Sequence, residues 1–176
     1  VDFCGNVFVD SQRIEVQDIL APVLNDIPSD LTVGASVVPA PPLTDCSLQT
    51  NIAQGRSTTQ SSTSSGGISD RAADGNTDGD FFINSVNLTT SEFQAWWQVE
   101  LDTVYEIDYV NLYNRTDCCS TRLSDFYVLV SSKPFSSDVL ATNIANPNIH
   151  SFYFGGVVGM PTSIPINAIG RFVRVQ

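Results

Sequence analysis

Hydrophobic and polar positions change their pattern near residue 50. Beyond it, short apolar runs rich in Val, Tyr, Phe and Trp are separated by polar stretches. The runs are "WWQVEL" (96–101), "VYEIDYVNLYN" (104–114), "DFYVLVSS" (125–132) and "RFVRVQ" (171–176). Runs of β-branched and aromatic residues, punctuated by Gly, Pro, Asn and Asp, predict antiparallel strands packed as a sandwich. Polar Gly-containing stretches such as "QSSTSSGGISD" (60–70) read as loops. No heptad pattern and no internal repeat runs through this region. Adjacent strand residues face opposite ways, so Trp96 and Trp97 predict a core tryptophan beside a partly exposed one.

Residues 1–50 carry a different pattern. Prolines at 22, 28, 39, 41 and 42 oppose long helices. "SQRIEVQDIL" (11–20) fits either a strand or a short helix. The segment reads as a small, extended N-terminal extension ending in a stiff Pro-rich connector, with a second domain over 51–176.

Composition narrows the function classes. Hydrophobic residues make up 42% of the 176, enough to bury a core. The formal net charge is −11, and the eight basic residues include one lysine. That balance argues against nucleic acid and anionic membrane surfaces as partners. No apolar run approaches the roughly 20 residues of a membrane span. A start at "VDFCGNVFVD", without methionine or an apolar leader, reads as a processed chain or part of a longer one.

Four cysteines, Cys4, Cys46, Cys118 and Cys119, show no zinc-type spacing and allow three pairings. Adjacency favours Cys118–Cys119, which leaves Cys4–Cys46 to close the N-terminal extension. Asn87-Leu88-Thr89 and Asn114-Arg115-Thr116 match the N-glycosylation acceptor pattern. Disulfides and sequons together predict a secreted, extracellular protein. One histidine, no Gly-x-Ser-x-Gly, no P-loop and no zinc ligand set argue against an enzyme. That histidine, His150, lies in "NPNIHSFY", which reads as a loop.

The stretch "NRTDCCSTRL" (114–123) concentrates the candidate chemistry. The Cα atoms of Cys118 and Cys119 must lie about 3.8 Å apart across a trans peptide, closer than the roughly 4.4–6.8 Å usual for disulfides. Such a bridge removes almost no unfolded-state entropy, because its loop is minimal. Its use is then as a rigid apolar plate. Arg115 and Arg122 flank it with fixed, permanently charged donors, and Asp117 stands ready to orient one of them.

These residues, with "NIAQGRSTTQSST" (51–63), "RAADGNTDGDFF" (71–82), "WWQVEL" and "IGRFVRVQ" (169–176), resemble the F-type lectin, or fucolectin, family. That family belongs to the discoidin-like, coagulation factor 5/8 type C β-sandwich domains. The resemblance covers 51–176 and implies an eight-stranded antiparallel jelly-roll with a fucose site on loops at one end. It implies that Arg115 and Arg122 donate to the sugar, that Cys118 and Cys119 form the plate beneath it, and that Phe81 or Phe82 lies near its methyl group. The family's third donor, a histidine, falls on Leu88, which cannot donate and predicts altered specificity. The resemblance also implies a structural calcium ion at Arg71, Asp74, Asn76 and Ser85, completed by a last strand. That strand has no counterpart before Gln176, nor has its cysteine, which in the family pairs with the position of Val86. Three accounts of this remain open: an incomplete sequence, residues 1–50 folding back, or strand donation by another chain into a homo-oligomer or polymer. Fucosylated glycans are the implied partners, with recognition or cell adhesion as the role. The alternative is a structural building block that keeps the fold without the sugar.

Overall fold

The structure, a computed structural model, describes residues 50–176 and the backbone of Glu15–Gln17. The expected Cys4–Cys46 bridge and the Pro-rich connector lie outside the described residues. Six strands form one antiparallel network: β1 (Glu15–Gln17), β2 (Ser57–Gln60), β3 (Trp97–Leu112), β4 (Ser124–Ser131), β5 (Ile149–Val157) and β6 (Thr162–Val175). Among the described residues, one short helix, α1 (Leu140–Ile144), and three single 3₁₀ turns complete them.

The two longest strands organise the fold. β3 pairs with β6 from Trp97↔Val175 to Leu112↔Thr162, with register shifts after Glu100 and after Ile107. Such bulges bend a strand and raise its twist. Before the first shift, β3 carries β2 on its other edge, and β6 carries β4 and then β5. Beyond the second, β3 carries β1, from Glu15↔Asn111 to Gln17↔Tyr109. The ladder thus contributes to both layers of a sandwich. The layers share one core that includes Trp97, Val99 and Leu101 from the first half of β3, and Ile107, Val110 and Leu112 from the second. Phe126, Val128 and Val130 of β4 meet Ile164, Ile166 and Val173 of β6 in the same cluster.

Register is fixed by this burial. Val99, Leu101, Val128 and Val130 are fully buried, each worth roughly 1.5–3 kcal/mol. A slip of one residue would drive Gln98 and Glu100 into their places. Gly170 marks a close crossing: an added Cβ would come within 2.4 Å of the Val130 side chain.

The fold corrects several expectations. The two runs 96–101 and 104–114 are one bent strand, because "DT" at 102–103 forms a bulge and not a turn. His150 belongs to β5, opposite Val130, and not to a loop. Of residues 11–20, Glu15–Gln17 form a strand. Among the described residues, no helix is long and apolar enough to cross a membrane.

Candidate functional site

The site is built from two loop segments at one end of the sandwich. The first follows β3. Asn114 is buried, and its side chain braces this loop. Its Nδ2 donates to the carbonyls of Ser120 (2.8 Å) and Val158 (2.7 Å), and its Oδ1 accepts from the Arg115 N–H (2.8 Å). Cys118 and Cys119 are bridged, with Cα atoms 3.8 Å apart. Cys119 takes φ +60° and starts the 3₁₀ turn Ser120–Arg122. The chain therefore reverses within a few residues and sets Arg122 across from Arg115.

Arg115 is held from two sides. Its Nε donates to Asp117 Oδ1 at 2.9 Å, and its Nη2 to Asp117 Oδ2. The two side chains keep only 11% and 9% of their surface, so this pair is far better shielded than an ordinary surface ion pair. The Arg115 guanidinium holds the Asp117 carboxyl down to about 2 from the usual 3.8, against the burial that raises it, and the Phe81 N–H adds to the lowering. The same bond raises the Arg115 guanidinium. Below it, the Phe81 ring lies 4.9 Å from the Arg115 Cζ, a cation–π contact. Gly79 allows this approach, since an added Cβ would come within 2.6 Å of the Asn114 carbonyl oxygen and 2.8 Å of the Thr116 nitrogen. Arg122, by contrast, is exposed and pairs with no carboxylate among the described residues.

The second segment carries Leu88. Its N–H donates to Gly67 O, and its carbonyl accepts from Ser64, both at 2.9 Å. Gly67 is needed there, because an added Cβ would sit 2.6 Å from the Leu88 nitrogen. The polar run 60–70, unremarkable as a sequence, thus places Leu88 against the other segment. Asn87 donates to Gln60 Oε1 at 3.1 Å.

Between the segments lies a cavity of about 320 Å³. Leu88, Arg115, Cys119 and Arg122 line it together. Asp117 and Phe81 stand behind Arg115 and do not reach the cavity wall, nor does Cys118. Phe82 lies on the surface, 82% exposed. Sequence reasoning missed other wall residues, Tyr113, Ser124 and Asp125 among them. Their only signal was adjacency to the ends of β3 and β4. Trp97 is the core tryptophan, with its Nε1 donating to Ser69 O at 2.9 Å. Trp96 is half-buried under Arg174, whose Cζ is 4.2 Å from its ring. Both reach the cavity.

Two expectations meet obstacles in this geometry. Asn114 cannot present its amide to a glycan in the folded domain, because the nitrogen is buried and already donates to two carbonyls. Calcium requires six to eight converging oxygens. In the 71–85 loop, Asp74, Asn76, Asp78 and Asp80 each turn a side-chain oxygen onto the backbone N–H two residues on. The Ser85 hydroxyl donates to the Asp80 carbonyl, and the Arg71 guanidinium reaches Asn84 Oδ1 and Val86 O. Among the described residues, no group of three or more carboxylate, His or Cys side chains is placed to hold a metal ion. Asp74 Oδ1 and the Ser85 hydroxyl are thus engaged within the loop, and no role is assigned through calcium.

Comparison with known proteins agrees with the fold. Residues 71–175 match the family model described as "NedA-like, galactose-binding domain" of the F5/F8 type C group. Fucolectin-1 of Anguilla japonica is 33% identical over 73% of this chain and 72% of its own length. The lectin domain of lectinolysin, solved with Lewis B antigen, superposes with a TM-score of 0.61 at 34% identity, covering 72% of this chain and 84% of that one. A fucose binding module of Streptococcus pneumoniae gives a TM-score of 0.59 at 31% identity, over 70% and 81% of the two chains. An F-type lectin from the serum of Morone saxatilis, striped bass, gives 0.60 at 27% identity, over 71% and 42%. These relatives are lectins and sugar-binding modules, not enzymes. With Arg115, Arg122 and the bridged Cys118–Cys119 converging as they do, the chain belongs to the F-type lectin family of discoidin-like β-sandwich domains.

Proposed function

We propose that this carbohydrate-binding domain recognises fucose-bearing glycans outside the cell, with a specificity altered at Leu88. One observation carries the reading: Arg115, Arg122, Cys119 and Leu88, 27 or more positions apart across the two segments, wall a single cavity. An arginine held by Asp117 and a second without an ion-pair partner among the described residues offer fixed donors to neighbouring sugar hydroxyls. The disulfide beside them offers an apolar plate to a sugar's carbon face. Leucine in place of a donor leaves one hydroxyl unanswered there and favours an apolar substituent. The serum origin of the striped-bass relative supports the extracellular setting.

The test is titration with L-fucose and with Lewis B oligosaccharide, by calorimetry, of the native domain and the Arg115→Ala and Arg122→Ala variants. Binding that each variant weakens by roughly tenfold or more supports the reading. No heat at tens of millimolar fucose removes it. A second reading, an adhesive building block that assembles into oligomers or polymers by strand addition, has one observation behind it. Three residues from the N-terminal extension, Glu15–Gln17, already add to the edge of β3. A monomer by analytical ultracentrifugation at high concentration would exclude that second reading.

A further inference from the structure

The bridged cysteines stand in a loop that is pinned on both sides of them. Upstream, the Thr116 N–H donates to Gly79 O at 2.9 Å, and Asp117 is held by Arg115. Downstream, Ser120 O accepts from Asn114 Nδ2 at 2.8 Å, and Leu123 O accepts from the Val158 N–H at 3.0 Å. Between these anchors, Cys119 holds φ +60°, in the left-handed region that residues with a Cβ seldom occupy. The bridge closes a ring around the peptide bond between Cys118 and Cys119, and so locks that conformation. Opening the ring lets this peptide turn over, by opposite rotations about ψ of Cys118 and φ of Cys119, while both anchors stay in place. The bridge is also within reach of a reagent. Cys118 is exposed and Cys119 half-buried, and of the two it is Cys119 that lines the cavity beside Arg115 and Arg122. A minimal loop constrains the unfolded chain very little, so opening it should leave the sandwich folded. Exposed disulfides are the labile ones, whereas buried structural ones resist thiols.

We propose that the Cys118–Cys119 bridge is a redox switch on the sugar site: oxidised, it holds Cys119 as part of the wall; reduced, it releases that wall and lowers affinity. The proposal rests on the sugar-binding reading above and adds its regulation. The reductant is a dithiol. One of its thiolates attacks a bridge sulfur and forms a mixed disulfide, and its second thiolate then displaces the cysteine. Two electrons and two protons pass to the bridge, which becomes two cysteine thiols, and the dithiol leaves as its own disulfide. Arg115 keeps its place throughout, because Asp117, the Phe81 ring and Asn114 hold it without the bridge. Reduction therefore weakens binding and does not abolish it. Linkage requires the converse: a sugar that prefers the oxidised form makes the bridge harder to reduce by the same factor.

The experiment holds the full chain in buffers of dithiothreitol and its cyclic disulfide, traps free thiols by alkylation, and follows the fragment carrying Cys118 and Cys119 by mass spectrometry. That fragment is read separately from Cys4 and Cys46. Calorimetry gives the L-fucose affinity of the oxidised and reduced protein. The expected result is about tenfold weaker binding after reduction, with the circular dichroism of the folded domain retained. Saturating fucose should then lower the midpoint of this bridge by about 30 mV, the same tenfold for a two-electron couple. The Cys118→Ser/Cys119→Ser variant should bind as the reduced protein does and should not respond to dithiothreitol. If that variant fails to fold, the midpoint shift in the native chain decides alone. Equal affinity of the two forms, or unfolding when this bridge opens, would overturn the proposal and leave the fucose reading standing. A further loss of affinity when dithiothreitol meets the serine variant would assign the effect to Cys4 and Cys46 and overturn it as well. No binding of L-fucose or Lewis B oligosaccharide by either form would overturn both readings.

Discussion

Arg115 and Leu88 hold opposite walls of the cavity by different means. Arg115 is fixed through its side chain, by Asp117 and the Phe81 ring. Leu88 is fixed through its backbone, and its side chain offers no donor. Replacing Leu88 with histidine should restore a donor and raise affinity for L-fucose by about tenfold. Calorimetry checks this, and an unchanged affinity would mean that position 88 does not reach the sugar. The Asp117 carboxyl supplies a pH test. Its folded value, about 2, lies below the ordinary 3.8. The ion pair's contribution is therefore complete above about 3.8 and is lost as pH falls through about 2. Sugar affinity should be flat from neutral pH down to about 4 and should decline toward 2. Asp117→Asn should weaken binding at neutral pH and flatten that acid limb, which separates this carboxylate from the others on an acidic chain.

At the scale of the element, the 114–122 loop depends on one amide. Asn114 Nδ2 donates to two carbonyls, Ser120 O and Val158 O, that no other side chain reaches among the described residues, and its Oδ1 takes the Arg115 N–H. Asn114→Ala should cost about 1–3 kcal/mol for the groups left unpaired, read as a shift of the denaturation midpoint with an unchanged slope. Asn114→Asp, which turns a buried carboxylate oxygen toward the same two carbonyls, should cost more than the alanine change. The loop's chemistry was legible in the sequence because Arg-x-Asp-Cys-Cys-x-x-Arg is compact and contiguous. Asn114 was legible only as a sequon, since burial is decided by chains far away, here Val158. The strands divide in the same way. β4 and the ends of β3 and β6 are apolar runs and announce themselves. β2, Ser-Thr-Thr-Gln, has no apolar residue and becomes a strand only because Trp97–Glu100 offers a free edge. The first half of β6 contains Pro165, tolerated opposite Tyr109 while Ile164 and Ile166 point inward. β5, with Gly155 and Gly156 near its end, is exposed along most of its length and alternates only over Phe152–Phe154, where the two phenylalanines pack on the core and Tyr153 faces out.

Across the whole molecule, the net charge of −11 has a direct consequence for ligand choice. A neutral sugar feels no long-range field, so its affinity should change less than about twofold between low salt and physiological salt, where charges are screened beyond about 8 Å. Sulfated or sialylated glycans should be repelled at low salt and gain affinity as salt is added. A glycan array run at two ionic strengths measures both. The cavity mouth, moreover, joins two segments supported separately, one by Asn114 and one by the Gly67 turn. The Gly67 turn hydrogen-bonds Leu88 through its peptide groups, while the half-buried side chain lines the cavity. The domain therefore behaves as a fixed handle with an exchangeable reading head. Substitution of position 88 by residues other than proline, which would lose the N–H given to Gly67, should yield a panel of folded proteins that differ in the glycans they report, which makes this fold a starting point for sugar-typing reagents.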